Sequence, residues 1–280
     1  MAIRGVNILL MGPSGTGKTY SIGTLVDSGV EVFYLSLENG LESLLGYWTD
    51  NNKPIPSNLH WHHVENSKAS FAELIGAATR INTMNLEMLA KGSDPNKNQY
   101  NRFIKLIESL NDFPDDRTGK KFGSVDDFGT DRAIVIDGLT GMGDAALELV
   151  IGGKPVKSQS DWGIAQDVVA RLLKMLTEQT KCHFILIGHI TRETDQVLGG
   201  VKIIPSAIGK ALGPTLNRMF SDVILAEREG TKFTWNTGDG RADVKSRNLG
   251  IKTGLSPNFG ALIEVWKKRE EAAIGKEEKV

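Results

Sequence analysis

Gly12-Pro13-Ser14-Gly15-Thr16-Gly17-Lys18-Thr19 satisfies the pattern G-x-x-x-x-G-K-[ST] at every fixed position, and its flanks complete it. The apolar run Val6 to Met11 before it has strand length. Thr19 to Val26 after it has helical character, stopped by Asp27-Ser28-Gly29. A glycine-rich turn between strand and helix aims several backbone N–H groups inward at the positive end of a helix dipole, which is a polyphosphate cradle. Lys18 is then expected to reach the β- and γ-phosphates, and the Thr19 hydroxyl to ligate Mg²⁺. The motif predicts a nucleoside triphosphate site formed by Gly12, Pro13, Ser14, Gly15, Thr16, Gly17, Lys18 and Thr19.

Outward from that turn, the rest of the chain is unexceptional in bulk. Its 280 residues are enough to bury a substantial core, and a net charge of −1 gives no global basic field to attract nucleic acid. The single cysteine, Cys182, lies in an apolar run and has no intramolecular partner, as in a reducing cytoplasm. No signal peptide is read at the amino terminus, and no apolar run approaches the roughly 20 residues of a membrane helix. The expectation is a cytosolic protein without a membrane partner.

Strands are read at Val30 to Leu37, Leu59 to Val64, Arg132 to Asp137, His183 to Gly188, Val223 to Glu227 and Phe233 to Thr237, with two more at Asp243 to Arg247 and Ala261 to Trp266. Helical spacing is clear at Ser70 to Leu89, Phe103 to Leu110 and Asp161 to Gln179. The stretch 91–131 reads as a polar insertion, with Asp115 to Thr130 an exposed loop. Residues 138–163 and 190–214 read as two long loops, and 267–280 as a charged tail, frayed or disordered. His60, His62 and His63 on the third strand match no common zinc spacing, and edge-strand histidines are expected instead. The alternation predicts a doubly wound, mostly parallel α/β sheet with helices on both faces and a C-terminal antiparallel extension, one domain over 1–266.

In such sheets ligands sit beyond the carboxyl ends of the strands, and Gly12, Glu38, Asp137 and His189 each follow one. Asp137, ending an apolar strand, is the expected Mg²⁺-holding carboxylate. Glu38 is placed to polarise an attacking water, with Glu42 as the stand-in. His189 is a candidate to sense the γ-phosphate and report its loss to the loop that follows. Lys245 and Arg247 alternate on one strand face, where the γ-phosphate of a neighbouring subunit would be a fitting anion.

Together these residues resemble the RecA superfamily: the opening phosphate loop, Leu35-Ser36-Leu37-Glu38-Asn39-Gly40, Val135-Ile136-Asp137-Gly138-Leu139-Thr140, Ile187-Gly188-His189, Pro205 through Lys210, and Lys245-x-Arg247. RecA, KaiC and DnaB-type helicases share the layout, and the last two carry a K-x-R pair that acts across a subunit interface. The chain is also similar to small phage-encoded RecA-like proteins, including Sak-type single-strand annealing ATPases. RecA differs in having an element before the phosphate-loop strand and a glutamine where this chain has His189.

The resemblance implies ATP and Mg²⁺ as ligands, ATP hydrolysis, and a homo-oligomeric ring or filament with active sites at subunit interfaces. It implies single-stranded DNA as partner in phage recombination or replication, a single-strand binding protein as a further candidate, and the host cytoplasm as location. Lys154, Lys157, Arg192, Lys202 and Lys210 are the implied DNA contacts, tracking phosphates rather than bases. The competing expectations are a KaiC-like regulatory or assembly ATPase whose partner is a protein, and a DnaB-like helicase core.

Overall fold

The computed structural model describes residues 3–65, 71–83, 100–152, 156–194 and 199–274. Among them the strands are β1 (Asn7–Met11), β2 (Glu31–Ser36), β3 (Leu59–His63), β4 (Arg132–Asp137), β5 (His183–Gly188), β6 (Ile190–Thr194), β7 (Val201–Pro205), β8 (Asp222–Glu229) and β9 (Lys232–Asn236). The helices are α1 (Lys18–Asp27), α2 (Leu41–Thr49), α3 (Phe71–Thr83), α4 (Arg102–Asn111), α5 (Leu139–Ile151), α6 (Gln159–Glu178), α7 (Gly209–Leu216) and α8 (Phe259–Ile274). None of these helices is long and apolar enough to cross a membrane.

Seven strands form one sheet in the order β3-β2-β4-β5-β1-β8-β9, while β6 and β7 pair separately as an antiparallel hairpin. All neighbours in the large sheet are parallel except β8 and β9. The central strands are apolar on both faces because helices cover both: Ala133, Ile134, Val135 and Ile136 of β4 are all buried. Leu9, Phe33, Ile134 and Leu186 pack with α4, α5, α6 and α7 on one face. Leu10, Tyr34, Val135 and Ile185 pack with α1, α2 and α8 on the other. The doubly wound sheet with an antiparallel extension is therefore the fold.

Several sequence expectations are corrected. Of the stretch 91–131 expected as a polar insertion, 91–99 lie outside the described residues, but 100–131 is packed structure. Phe103, Leu106, Phe113, Val125 and Phe128 are buried against the sheet. The Asp-rich segment is no loose loop either. A turn closed by the Pro114–Lys121 bridge covers the outer edge of β3. There Asp115 Oδ1 accepts the Trp61 N–H (3.3 Å) and Asp116 Oδ2 the His63 N–H (2.9 Å). Its two aspartates answer the unpaired backbone of an edge strand, while 116–121 stay exposed.

The expected loop 138–163 contains α5, whose Leu139, Met142, Ala145, Ala146 and Leu147 are buried; two glycines in its first turns masked that period. The expected loop 190–214 is the β6–β7 hairpin followed by α7. Phe259, Leu262, Ile263 and Trp266 are buried at i, i+3, i+4, i+7, so the last predicted strand is the start of α8, which continues through the supposed tail to Ile274. Residues 275–280 lie outside the described residues. Asp243 to Arg247 forms no strand and pairs with β8 only at the single bridge Val223–Lys245. Of the helix expected from Ser70 to Leu89, 71–83 is α3, where Phe71 and Ile75 are exposed, and Ser70 and 84–89 lie outside the described residues.

Candidate functional site

The phosphate loop leaves β1 between β5 and β8, so it opens at the middle of the sheet's carboxyl rim. Gly15 and Gly17 have φ of 73° and 75°, which only glycine adopts without strain, and Gly17 leads directly into α1. Ser14 through Thr19 line a cleft of about 850 Å³ together with Glu38, Gly40, Glu42, Asp137, His189 and Phe233. Four of the expected groups thus meet in one cleft: the loop, Glu38, Asp137 and His189. The stand-in Glu42 lines it as well.

Lys18 is 7 % exposed and bends back over its own loop, donating to the carbonyls of Gly12 (2.9 Å) and Pro13 (2.7 Å). Burial pulls its ammonium below the ordinary lysine value, against the upward pull of the Asp137 and Glu38 charges. No carboxylate pairs with it directly among the described residues. A buried cation resting on carbonyls, at the mouth of a loop of inward N–H groups, fits a polyphosphate oxygen.

Asp137 is 5 % exposed, and its Oδ2 accepts two hydroxyls at once, from Thr19 (2.7 Å) and from Tyr34 (2.7 Å). Burial raises its carboxyl above the usual range, opposed by the Thr19 and Tyr34 hydrogen bonds. The Tyr34 hydroxyl is held well above its ordinary value, first by burial and then by the Asp137 charge. A hydroxyl and a carboxylate side by side at the mouth of the phosphate cleft are the donor set that suits a hard cation such as Mg²⁺.

Glu38 Oε2 lies 3.2 Å from His189 Nε2. Both side chains are about a third exposed, 32 % and 39 %, so they are reachable from the cleft. The turn carrying Glu38 is fixed from behind: Ser36 Oγ donates to the Glu38 carbonyl, and Arg102 donates to the carbonyls of Leu37 and Val64 (3.2 Å for the latter). His63 Nδ1 stands 3.3 Å from Ser36 Oγ, while His60 faces Glu31 and Asp115 and His62 faces Asp116.

Lys245 and Arg247 are not brought to this cleft. Lys245 exchanges backbone hydrogen bonds with Val223 (2.7 and 3.0 Å), which pairs with Leu9 in mid-strand. From there the chain runs antiparallel toward the amino end of β8, away from the phosphate loop. Fully buried Asp222 organises that turn: it accepts from the N–H groups of Arg247 (3.0 Å) and Asn248 (3.2 Å) and from Ser246 Oγ (2.5 Å). Both cationic side chains are exposed.

The expected DNA contacts lie on several elements. Arg192 and Lys202 are exposed on the β6–β7 hairpin, Lys202 3.4 Å from Asp243. Lys157 lies over the Trp162 ring at 5.2 Å. Lys210 stands in the first turn of α7, and Lys154 lies outside the described residues. The hairpin begins directly after His189, and its base is closed by Ser206 N–H donating to the His189 carbonyl at 2.8 Å.

Tyr34, Arg102, Arg228 and Phe233 were not singled out by motif. Arg228 Nη1 comes within 3.7 Å of where a side chain on Gly15 would begin, and Phe233 within 3.2 Å of the same point on Gly17. For Tyr34 a signal did exist: a phenol inside an otherwise apolar strand needs a buried partner.

A family described as AAA domain matches residues 4–254. No curated protein matches the chain. Among solved structures it is similar to the ATPase EscN, assembled with its central stalk EscO in the type III secretion system of enteropathogenic E. coli, at 12 % identity and a TM-score of 0.45. That match covers 98 % of this chain and 53 % of the other, so the chain spans about half its length. It is also similar to the RadB recombinase (11 % identity, TM-score 0.38, covering 91 % of this chain and 86 % of that one). A third is the flagellar accessory protein FlaH of Methanocaldococcus jannaschii (12 % identity, TM-score 0.28, 91 % and 92 %).

Proposed function

The chain belongs to the AAA domain family of P-loop ATPases, and from that premise we propose a self-assembling, Mg²⁺-dependent ATP hydrolase that acts on single-stranded DNA, of the same kind as phage Sak-type annealing ATPases. The observation that carries this reading is the Glu38–His189 contact at the root of the hairpin. It joins the candidate water-polarising group to the residue immediately before an exposed element that bears Arg192 and Lys202.

Thr19 and Asp137 would hold Mg²⁺, which when bound neutralises charge on the β- and γ-phosphate oxygens. Lys18 exchanges its two loop carbonyls for phosphate oxygens, and the N–H groups of the loop take the remaining ones. Glu38 accepts the proton of the attacking water. His189, released from or held by Glu38 according to what occupies the cleft, transmits that state to β6. Lys245 and Arg247, remote from their own cleft, supply positive charge to the γ-phosphate of a neighbouring copy, a contribution of about 10³ to 10⁵ in rate where an arginine finger operates.

ATP turnover with and without single-stranded oligonucleotide tests the proposal, alongside oligonucleotide binding at low salt with a non-hydrolysable ATP analogue. Turnover without any DNA binding would leave the second reading, a KaiC-like assembly ATPase with a protein partner. The near-zero net charge and the Lys202–Asp243 pair, which offsets one of the hairpin's cations, favour that reading.

A further inference from the structure

Tyr34 stands in the middle of β2, fully buried, yet its hydroxyl reaches the one carboxylate placed to hold a cation. Asp137 Oδ2 accepts from both Thr19 and Tyr34 at 2.7 Å. The two hydroxyls differ in what they can do next. Thr19 sits at the start of α1 in the cleft wall and can turn toward a bound cation. Tyr34 is packed among Leu10, Ile22, Val32, Leu44 and Val135 and has no room to leave. Gly40 closes the site from the cleft side: a Cβ there would lie 2.6 Å from the Tyr34 hydroxyl and 2.7 Å from Asp137 Oδ2.

We infer that Tyr34 is a positioning residue for metal binding: its phenol pins Oδ2 of Asp137, which fixes the plane of the carboxylate and leaves Oδ1 as the oxygen offered to the cation's shell. Without that bond the carboxylate turns about its Cβ–Cγ axis and presents either oxygen. Partners of this sort, one bond removed from the metal, typically govern about 10- to 100-fold in metal affinity. The inference rests on the reading of Asp137 as the cation-holding carboxylate.

The test is Mn²⁺ binding, read by electron paramagnetic resonance in the presence of a non-hydrolysable ATP analogue, for the wild-type protein, Tyr34→Phe and Gly40→Ala. Gly40 has φ −102°, so alanine costs no backbone strain there and acts by wedging apart the same two oxygens. Gly40→Ala therefore carries the test if Tyr34→Phe does not fold. The expected result is Mn²⁺ affinity weakened about tenfold in either variant, with metal-free binding of the analogue unchanged in Tyr34→Phe. Placed on an Asp137→Asn background, Tyr34→Phe should have no further effect on Mn²⁺. Wild-type Mn²⁺ affinity in the folded variants overturns the role of Tyr34 while leaving the site's reading intact. Failure of the wild-type protein to bind Mn²⁺ with nucleotide overturns both.

Discussion

His189 Nε2 stands 3.2 Å from Glu38 Oε2, so residues that follow β5 and β2 meet across the end of β4, the strand between them. In this arrangement the imidazole competes with water for the same carboxylate oxygen. Glu38→Gln keeps a hydrogen-bonding group of the same size but cannot take a proton. Turnover should fall about 10²- to 10⁴-fold while affinity for an ATP analogue is unchanged. Parallel loss of both would assign Glu38 to nucleotide binding instead.

Lys18 bonds only carbonyls of its own loop and is already buried there. Lys18→Ala removes a buried charge that has no carboxylate partner, so the fold should survive with its thermal midpoint unchanged or raised. Triphosphate binding, measured by calorimetry, should be lost. A variant that still binds ATP normally would remove Lys18 from the site.

The cleft was largely legible because its parts carry local signatures. A glycine-rich turn, and carboxylates at the ends of apolar strands, can be read from a few consecutive residues. What escaped depends on distant partners. Tyr34 and Arg102 look like an ordinary core aromatic and an ordinary surface cation until Asp137 and the Leu37 and Val64 carbonyls are brought beside them. The Asp115–Asp116 turn reads as a solvated loop because its ligands are backbone N–H groups, which no side-chain pattern records. Glycines at 141 and 143 disguised α5, where close packing on Leu37 and Ile208, not a turn, requires them.

That turn carries its own prediction. Asp115 is 1 % exposed and accepts from Thr118 (2.6 Å), Trp61 (3.3 Å) and Arg117 (3.2 Å). Asp115→Ala strands those donors and uncovers the edge of β3, at a cost of roughly 2 to 3 kcal/mol in urea unfolding. An uncovered edge also invites pairing, so concentration-dependent light scattering should increase. Full stability and no self-association would show that the backbone of the turn suffices.

His183 sets an acid limit. Burial lowers its pKa to about 4, and its Nδ1 accepts the Val6 N–H at 3.0 Å, a bond that only the neutral ring can make. In the unfolded chain the imidazole titrates near 6.5. Between these values the unfolded state binds more protons, so stability is full above the upper value and is lost as pH falls toward the lower one. The slope is about 1.4 kcal/mol per pH unit, or about 3 kcal/mol over the window. His183→Gln, which retains an acceptor, should flatten urea-unfolding stability between pH 6.5 and 4.5 relative to wild type. An unchanged slope would place the acid sensitivity elsewhere.

Asp222 and Arg247 bear on assembly. The buried carboxylate of Asp222 gathers Ser246, Arg247 and Asn248 into a fixed turn, aimed away from the chain's own cleft. If Arg247 serves a neighbour, two defects in different chains should be separable. Glu38→Ala and Arg247→Ala proteins, each inactive alone, should recover ATPase activity when mixed under conditions where subunits exchange, because some interfaces then pair an intact cleft with an intact Arg247. Asp222→Asn should weaken the same function indirectly: it removes charge from the acceptors that shape the turn, costing about 1 to 3 kcal/mol in stability. Mixed with Glu38→Ala it should recover less than an unmutated turn does. Activity that resides in a monomer fraction, or mixtures that stay inactive despite demonstrated exchange, would leave Lys245 and Arg247 without a role in hydrolysis.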